Sequence, residues 1–61
     1  MQEEFFAYQD GWADGVAARR DDVRATDPAT GRDYRVGFLD GRLEMFRLNT
    51  RLRRIADNDA G

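Results

Sequence analysis

Asp14 and Asp40 are the residues whose type and placement could do chemistry, because paired carboxylates can act as general acid and base or hold a divalent cation. They occupy the same place in two copies of one pattern. Tyr8-Gln9-Asp10-Gly11-Trp12-Ala13-Asp14-Gly15 and Tyr34-Arg35-Val36-Gly37-Phe38-Leu39-Asp40-Gly41 both read Tyr, two residues, Gly, a large aromatic, one residue, Asp, Gly, at an offset of 26 residues. The chain has no His and no Cys, so the commonest base and the thiolate ligands are missing. Two carboxylates without such partners point instead to hydrogen bonds with Tyr hydroxyls, with Arg or with the backbone of another helix. The glycines stand beside aromatics at helical spacing and follow no strand, which argues against a phosphate-cradling loop. No nucleophile stands with a base. The expectation is a protein that is not an enzyme, with no catalytic, cofactor or metal residues and no small-molecule substrate.

Positioning the repeats requires two helices. Tyr34, Phe38, Gly41, Met45, Leu48, Leu52 and Ile55 recur at spacings of 4, 3, 4, 3, 4 and 3, an apolar seam along one helix face. A second set, Val36, Leu39, Leu43 and Phe46, recurs at 3, 4 and 3. At about 100° per residue it falls on the opposite side of the same helix. One partner helix covers only one of these faces.

The first helix is expected over about residues 3–20, with Glu3 and Glu4 at its positive end and an apolar stripe of Met1, Phe5, Tyr8, Trp12 and Val16. Phe6 is the likeliest aromatic to stand exposed on the other side. A polar stretch over about 21–29 reads as a loop. The second helix is expected over about 30–56, starting either at Asp27-Pro28, an N-cap followed by Pro, or at Thr30-Gly31-Arg32-Asp33, a capping-box pattern. Residues 57–61 read as a disordered tail. The expected fold is all-α: one domain, a two-helix antiparallel hairpin with a longer second helix, completed by dimerisation or by a partner protein.

Within such a hairpin the two glycine pairs, Gly11/Gly15 and Gly37/Gly41, each open a groove one turn long. Trp12 is expected to lie over Gly37/Gly41 and Phe38 over Gly11/Gly15, with Tyr8 and Tyr34 closing the ends. Charge is uneven along the chain. Residues 1–18 carry Glu3, Glu4, Asp10 and Asp14 and no base, while Arg42, Arg47, Arg51, Arg53 and Arg54 face a single acid, Glu44, over residues 42–54. Antiparallel packing would lay the acidic start of the first helix beside this Arg-rich part of the second. The arginines also form a candidate surface for an acidic partner or RNA. No segment approaches the ~20 apolar residues of a membrane span, and the acidic start is wrong for a secretory signal; a cytoplasmic protein with no membrane role is expected.

Gly11-Trp12-Ala13-Asp14-Gly15-Val16-Ala17-Ala18-Arg19, the central Pro28 and Tyr34-Arg35-Val36-Gly37-Phe38 together resemble the ribosome modulation factor family of small bacterial helical proteins, over about residues 7–44. The resemblance implies a helical hairpin that binds the small ribosomal subunit near the 3′ end of its rRNA and promotes inactive ribosome dimers. Against the basic N-terminal arm of that family, this chain begins Met1-Gln2-Glu3-Glu4-Phe5-Phe6 and carries a net charge of −2.

Two functions are therefore expected from the sequence. The first is a non-enzymatic accessory subunit or regulator that meets a protein partner, or a second copy of itself, through Val36, Leu39, Leu43, Phe46 and Phe6. The alternative is a ribosome-associated factor that meets rRNA through its Arg-rich second helix.

Overall fold

The computed structural model describes residues 2–60, with the side chains of 58–60 excepted. It contains α1 (Gln2–Ala17), α2 (Asp22–Ala25) and α3 (Gly31–Ala60), with α3 packed along α1 and α2 against α3. Among the described residues no strand occurs, and no helix is long and apolar enough to cross a membrane.

The direction of packing is set by the glycines. A Cβ on Gly11 would collide with the Tyr34 carbonyl oxygen and stand 3.0 Å from the Phe38 nitrogen. Four residues later, a Cβ on Gly15 would collide with the Phe38 carbonyl and stand 3.1 Å from the Arg42 nitrogen. The contacts are reciprocal: Gly37 faces the Tyr8 carbonyl and the Trp12 nitrogen, and Gly41 faces the Trp12 carbonyl and the Val16 nitrogen. A step of four along α1 is a step of four in the same sense along α3. The helices run parallel, and each residue of α1 lies level with the residue 26 places later. The expected antiparallel arrangement is overturned.

The linker explains how a parallel pair forms. The return from the end of α1 to the level of Phe5, where α3 starts, is about 18 Å at 1.5 Å per residue, well within the reach of residues 18–30. The expected extent of the first helix is corrected as well. It ends at Ala17 because Ala18 turns left-handed at φ 56°. The Ala18 N–H donates to the Gly15 carbonyl at 3.2 Å and the Arg19 N–H to the Asp14 carbonyl at 2.8 Å, a Schellman closure made without the usual glycine.

The expected loop over 21–29 contains α2. Asp21 caps it, its Oδ1 accepting from the backbone nitrogens of Val23 at 3.1 Å and Arg24 at 3.2 Å. Asp27 then caps the turn that carries Pro28, accepting from the nitrogens of Ala29 at 2.8 Å and Thr30 at 3.0 Å. Those two bonds hold its carboxyl below the ordinary value of 3.8. The chain enters α3 at Gly31, where a Cβ would lie 2.6 Å from the Ala25 carbonyl oxygen. At its other end α3 continues to Ala60, so residues 57–60 of the expected disordered tail have helical backbone; Gly61 lies outside the described residues.

Parallel register also leaves the last part of α3 alone. Ala17 is level with Leu43, so the seam residues Leu48, Leu52 and Ile55 continue past the end of α1 and are exposed. The interior is small: the buried apolar side chains are Ala7, Ala25 and Tyr34. Trp12 and Phe38 do not lie in the glycine grooves as expected, because backbone carbonyls fill them; Trp12 is 40% exposed.

Gly→Ala ordinarily stabilises a helix interior by about 1 kcal/mol. Here Gly11→Ala and Gly37→Ala should instead lower stability by about 1–3 kcal/mol, because the obstacle is backbone that no rotamer change can move. Ala18→Gly should raise it by about 0.5–1 kcal/mol. Urea unfolding followed by circular dichroism measures all three. An unchanged or higher midpoint for Gly37→Ala contradicts this packing.

Candidate interaction surface

Asp14 and Asp40 each meet a tyrosine of the other helix. The Tyr34 hydroxyl donates to Asp14 Oδ2 at 2.5 Å, and the Tyr8 hydroxyl donates to Asp40 Oδ2 at 2.6 Å. The two bonds are images of each other under the 26-residue offset. They tie α1 to α3 and occupy the carboxylates. Among the described residues no group of three or more His, Cys, Asp or Glu is placed to hold a metal ion.

The two tyrosines differ in what covers them. Tyr34 is fully buried. Its hydroxyl also accepts the backbone N–H of Asp21 at 2.9 Å, and the Arg24 guanidinium lies 5.5 Å from its ring centroid, within cation–π range. Arg24 continues to Asp10, its Nη1 donating to Oδ2 at 2.8 Å, and Arg35 donates to the Ala25 carbonyl. Tyr8, by contrast, remains partly open beside Gln9 and Trp12. Burial and the Asp14 bond raise the Tyr34 phenol above its ordinary value of 10.0, although the Asp21 N–H opposes them. The Tyr8 phenol is raised first by its hydrogen bond to Asp40.

Sequence reasoning missed α2, the bond from the Asp21 N–H to the Tyr34 hydroxyl and the pairing of Arg24 with Asp10. The available signal was Asp21-Asp22-Val23-Arg24, a capping residue with an acid in the first turn, hidden by the lack of apolar period.

The outer face of α3 points away from α1. Val36 and Leu43 are each 46% exposed, Leu39 67% and Phe46 68%. Phe6 is exposed beside Phe5, ring centroids 6.0 Å apart, on α1. Phe6 stands on the other helix, level with Arg32, about one turn before Val36 and about two before Leu39.

The arginines divide. Arg42 Nη1 donates to the Gly15 carbonyl at 3.4 Å, so it serves the C-terminal end of α1 and is partly committed within the fold. Arg47, Arg51 and Arg54 line one shallow surface with Phe46 and Thr50, and Arg53 is exposed elsewhere on the helix. The expected intramolecular pairing of this segment with the acidic start of α1 does not form. Glu3 stands near Asp27, Ala29 and Thr30, at the opposite end of the molecule from Arg47–Arg54.

Because both phenols are raised in the fold, their contribution to stability is complete below the ordinary value of 10.0 and is lost as pH rises through the raised values. The urea midpoint should therefore fall at alkaline pH, and Tyr34→Phe should flatten part of that fall. At neutral pH Tyr34→Phe should cost about 1–3 kcal/mol, because Asp14 and the Asp21 N–H lose their partner. A midpoint for the wild-type chain that does not move across phenol titration contradicts the assignment.

Comparison with known proteins finds no matching family model, no matching curated protein and no matching solved structure.

Proposed function

We propose that this chain is a non-enzymatic interaction protein, an accessory subunit or regulator of a larger assembly, that binds through the outer face of α3. The observation that carries it is the exposed row Val36, Leu39, Leu43 and Phe46. Burying such side chains against a partner gains roughly 1.5–3 kcal/mol each, and a contiguous apolar row of this kind marks an interface. Neither α1 nor α2 competes for it. A second copy of the chain or a different protein satisfies the same chemistry.

Leu39→Asp and Phe46→Asp change the two most exposed residues of the row. They should leave the circular dichroism spectrum and urea midpoint within about 0.5 kcal/mol of wild type while abolishing association, read by sedimentation of the pure chain and of its mixture with extract from its source cells. A wild-type chain that sediments as a monomer in both conditions overturns this function.

A second reading has its own observation. Residues 45–56 hold four arginines and no acid, and Arg47, Arg51 and Arg54 follow one another at spacings of 4 and 3 along the part of α3 that extends past α1. Basic residues spaced along an extended helix suit a phosphate backbone, which supports a ribosome-associated factor that contacts rRNA of the small subunit. On this reading the chain co-pellets with ribosomes at low salt. Arg47→Ala with Arg51→Ala and Arg54→Ala should reduce the pelleted fraction and flatten its salt dependence; no pelleting by the wild-type chain removes this reading.

A further inference from the structure

The outer row of α3 fits a second copy of itself. Val36, Leu39, Leu43 and Phe46 follow at spacings of 3, 4 and 3, so the row has the same spacing read from either end. A twofold axis at the level of Gly41 sets Val36 against Phe46 of the second copy and Leu39 against its Leu43. Each layer joins a small side chain to a large one, or two of equal size, so the helix axes keep one separation along the contact. A parallel pair would set Val36 on Val36 and Phe46 on Phe46, narrow at one end and wide at the other. α1 packs on the Gly37 and Gly41 side of α3 and does not obstruct the approach.

We propose that α3 pairs antiparallel with α3 of a second copy through this row, closing a symmetric dimer. The proposal rests on the reading of the chain as an interaction protein and names the partner of that same face.

The charges beside the row carry the choice of a second copy. At about 100° per residue, Asp33, Asp40 and Arg47 run along one rim at steps of seven, and Arg35 and Arg42 along the other. Antiparallel pairing brings Asp33 to Arg47 of the second copy, twice by symmetry. Among the described residues neither side chain has an ion-pair partner within the chain. The same pairing brings Asp40 to Asp40 and Arg42 to Arg42 at the axis, like charges that would oppose the contact. Both are drawn toward α1 instead. Asp40 Oδ2 accepts the Tyr8 hydroxyl at 2.6 Å, and Arg42 Nη1 donates to the Gly15 carbonyl at 3.4 Å.

The fold thus takes the unfavourable pairs off the face and leaves the favourable ones. A parallel pair would place Arg42 beside Arg47 at both rims and give Asp33 no cation. Its one opposite pair, Arg35 with Asp40, would use groups already bonded to the Ala25 carbonyl and the Tyr8 hydroxyl. Antiparallel pairing also sets residues 47–54 of each copy at the end where the other carries Glu3 and Glu4.

Sedimentation of the purified full chain should show a monomer–dimer equilibrium with no larger species. Asp33→Arg and Arg47→Asp should each weaken the dimer about tenfold at low salt, because two attractive pairs become two repulsive ones. Mixed in equal amounts, the two variants should regain wild-type association, since each supplies the charge that the other lacks. Single cysteines, in a chain that otherwise has none, read the orientation and serve equally should Asp33→Arg fail to fold. On oxidation a Val36→Cys chain should join a Phe46→Cys chain but not itself, because the two copies of position 36 lie about 15 Å apart along the pair.

A wild-type chain that stays monomeric into the millimolar range overturns the proposal; if it then associates in extract in a Leu39-dependent way, the broader function stands with a different partner. Association that the mixed charge variants do not regain overturns it too, as does a Val36→Cys chain that joins itself.

Discussion

Backbone carbonyls of one helix pressed against the glycines of the other are the contact on which this molecule depends. Each of Gly11, Gly15, Gly37 and Gly41 has a carbonyl oxygen of the facing helix where a Cβ would be, so the glycine Cα–H in that direction points at the oxygen. Such Cα–H···O contacts contribute roughly 0.5–1 kcal/mol each, and close approach brings the remaining atoms within dispersion range. A chain of 61 residues buries little apolar side chain, and among the described residues only Ala7, Ala25 and Tyr34 are buried apolar residues. Backbone proximity takes over part of what a larger core does elsewhere.

Parallel packing follows from that contact and shapes everything outside it. Two like segments brought together by a twofold axis along the helices must point the same way, and the chain between them must travel back. The return segment becomes α2, which buries Tyr34 and breaks the symmetry that the repeats establish. One tyrosine–aspartate bond is thereby enclosed and its phenol shifted by burial first; the other remains at the surface, shifted mainly by its carboxylate. The same register separates the acidic start of α1 from the arginines of α3 by most of a molecule 51 Å long. Charges that an antiparallel pair would neutralise internally face outward at opposite ends. They leave an acidic stretch at the start of α1 and a basic one over residues 47–54 of α3.

The helical character, the repeat and the double-sided apolar pattern of α3 were all legible in the residues. Periodicity of 3 and 4 reports which positions share a face, and it identified Val36, Leu39, Leu43 and Phe46 as a row separate from the Tyr34–Ile55 seam; their exposure in the structure is consistent with that separation. The pairing of Asp14 and Asp40 with tyrosine hydroxyls was among the sequence expectations, since carboxylates without His or a pocket seek local donors. Arg42 was grouped by sequence with the other arginines, yet its bond to the Gly15 carbonyl depends on where α1 stops.

What the linear order of residues determined was local: two helices, the faces they bear, and a repeat able to bring glycine to backbone. Helix direction was decided only in three dimensions, because a glycine pair accepts a neighbour running either way and periodicity carries no sign. The linker settled it, being long enough to lead back along α1 and able to cap a short helix over Tyr34. Where the return segment lies, which tyrosine it encloses and which arginines stand beyond the end of α1 all follow from that single orientation.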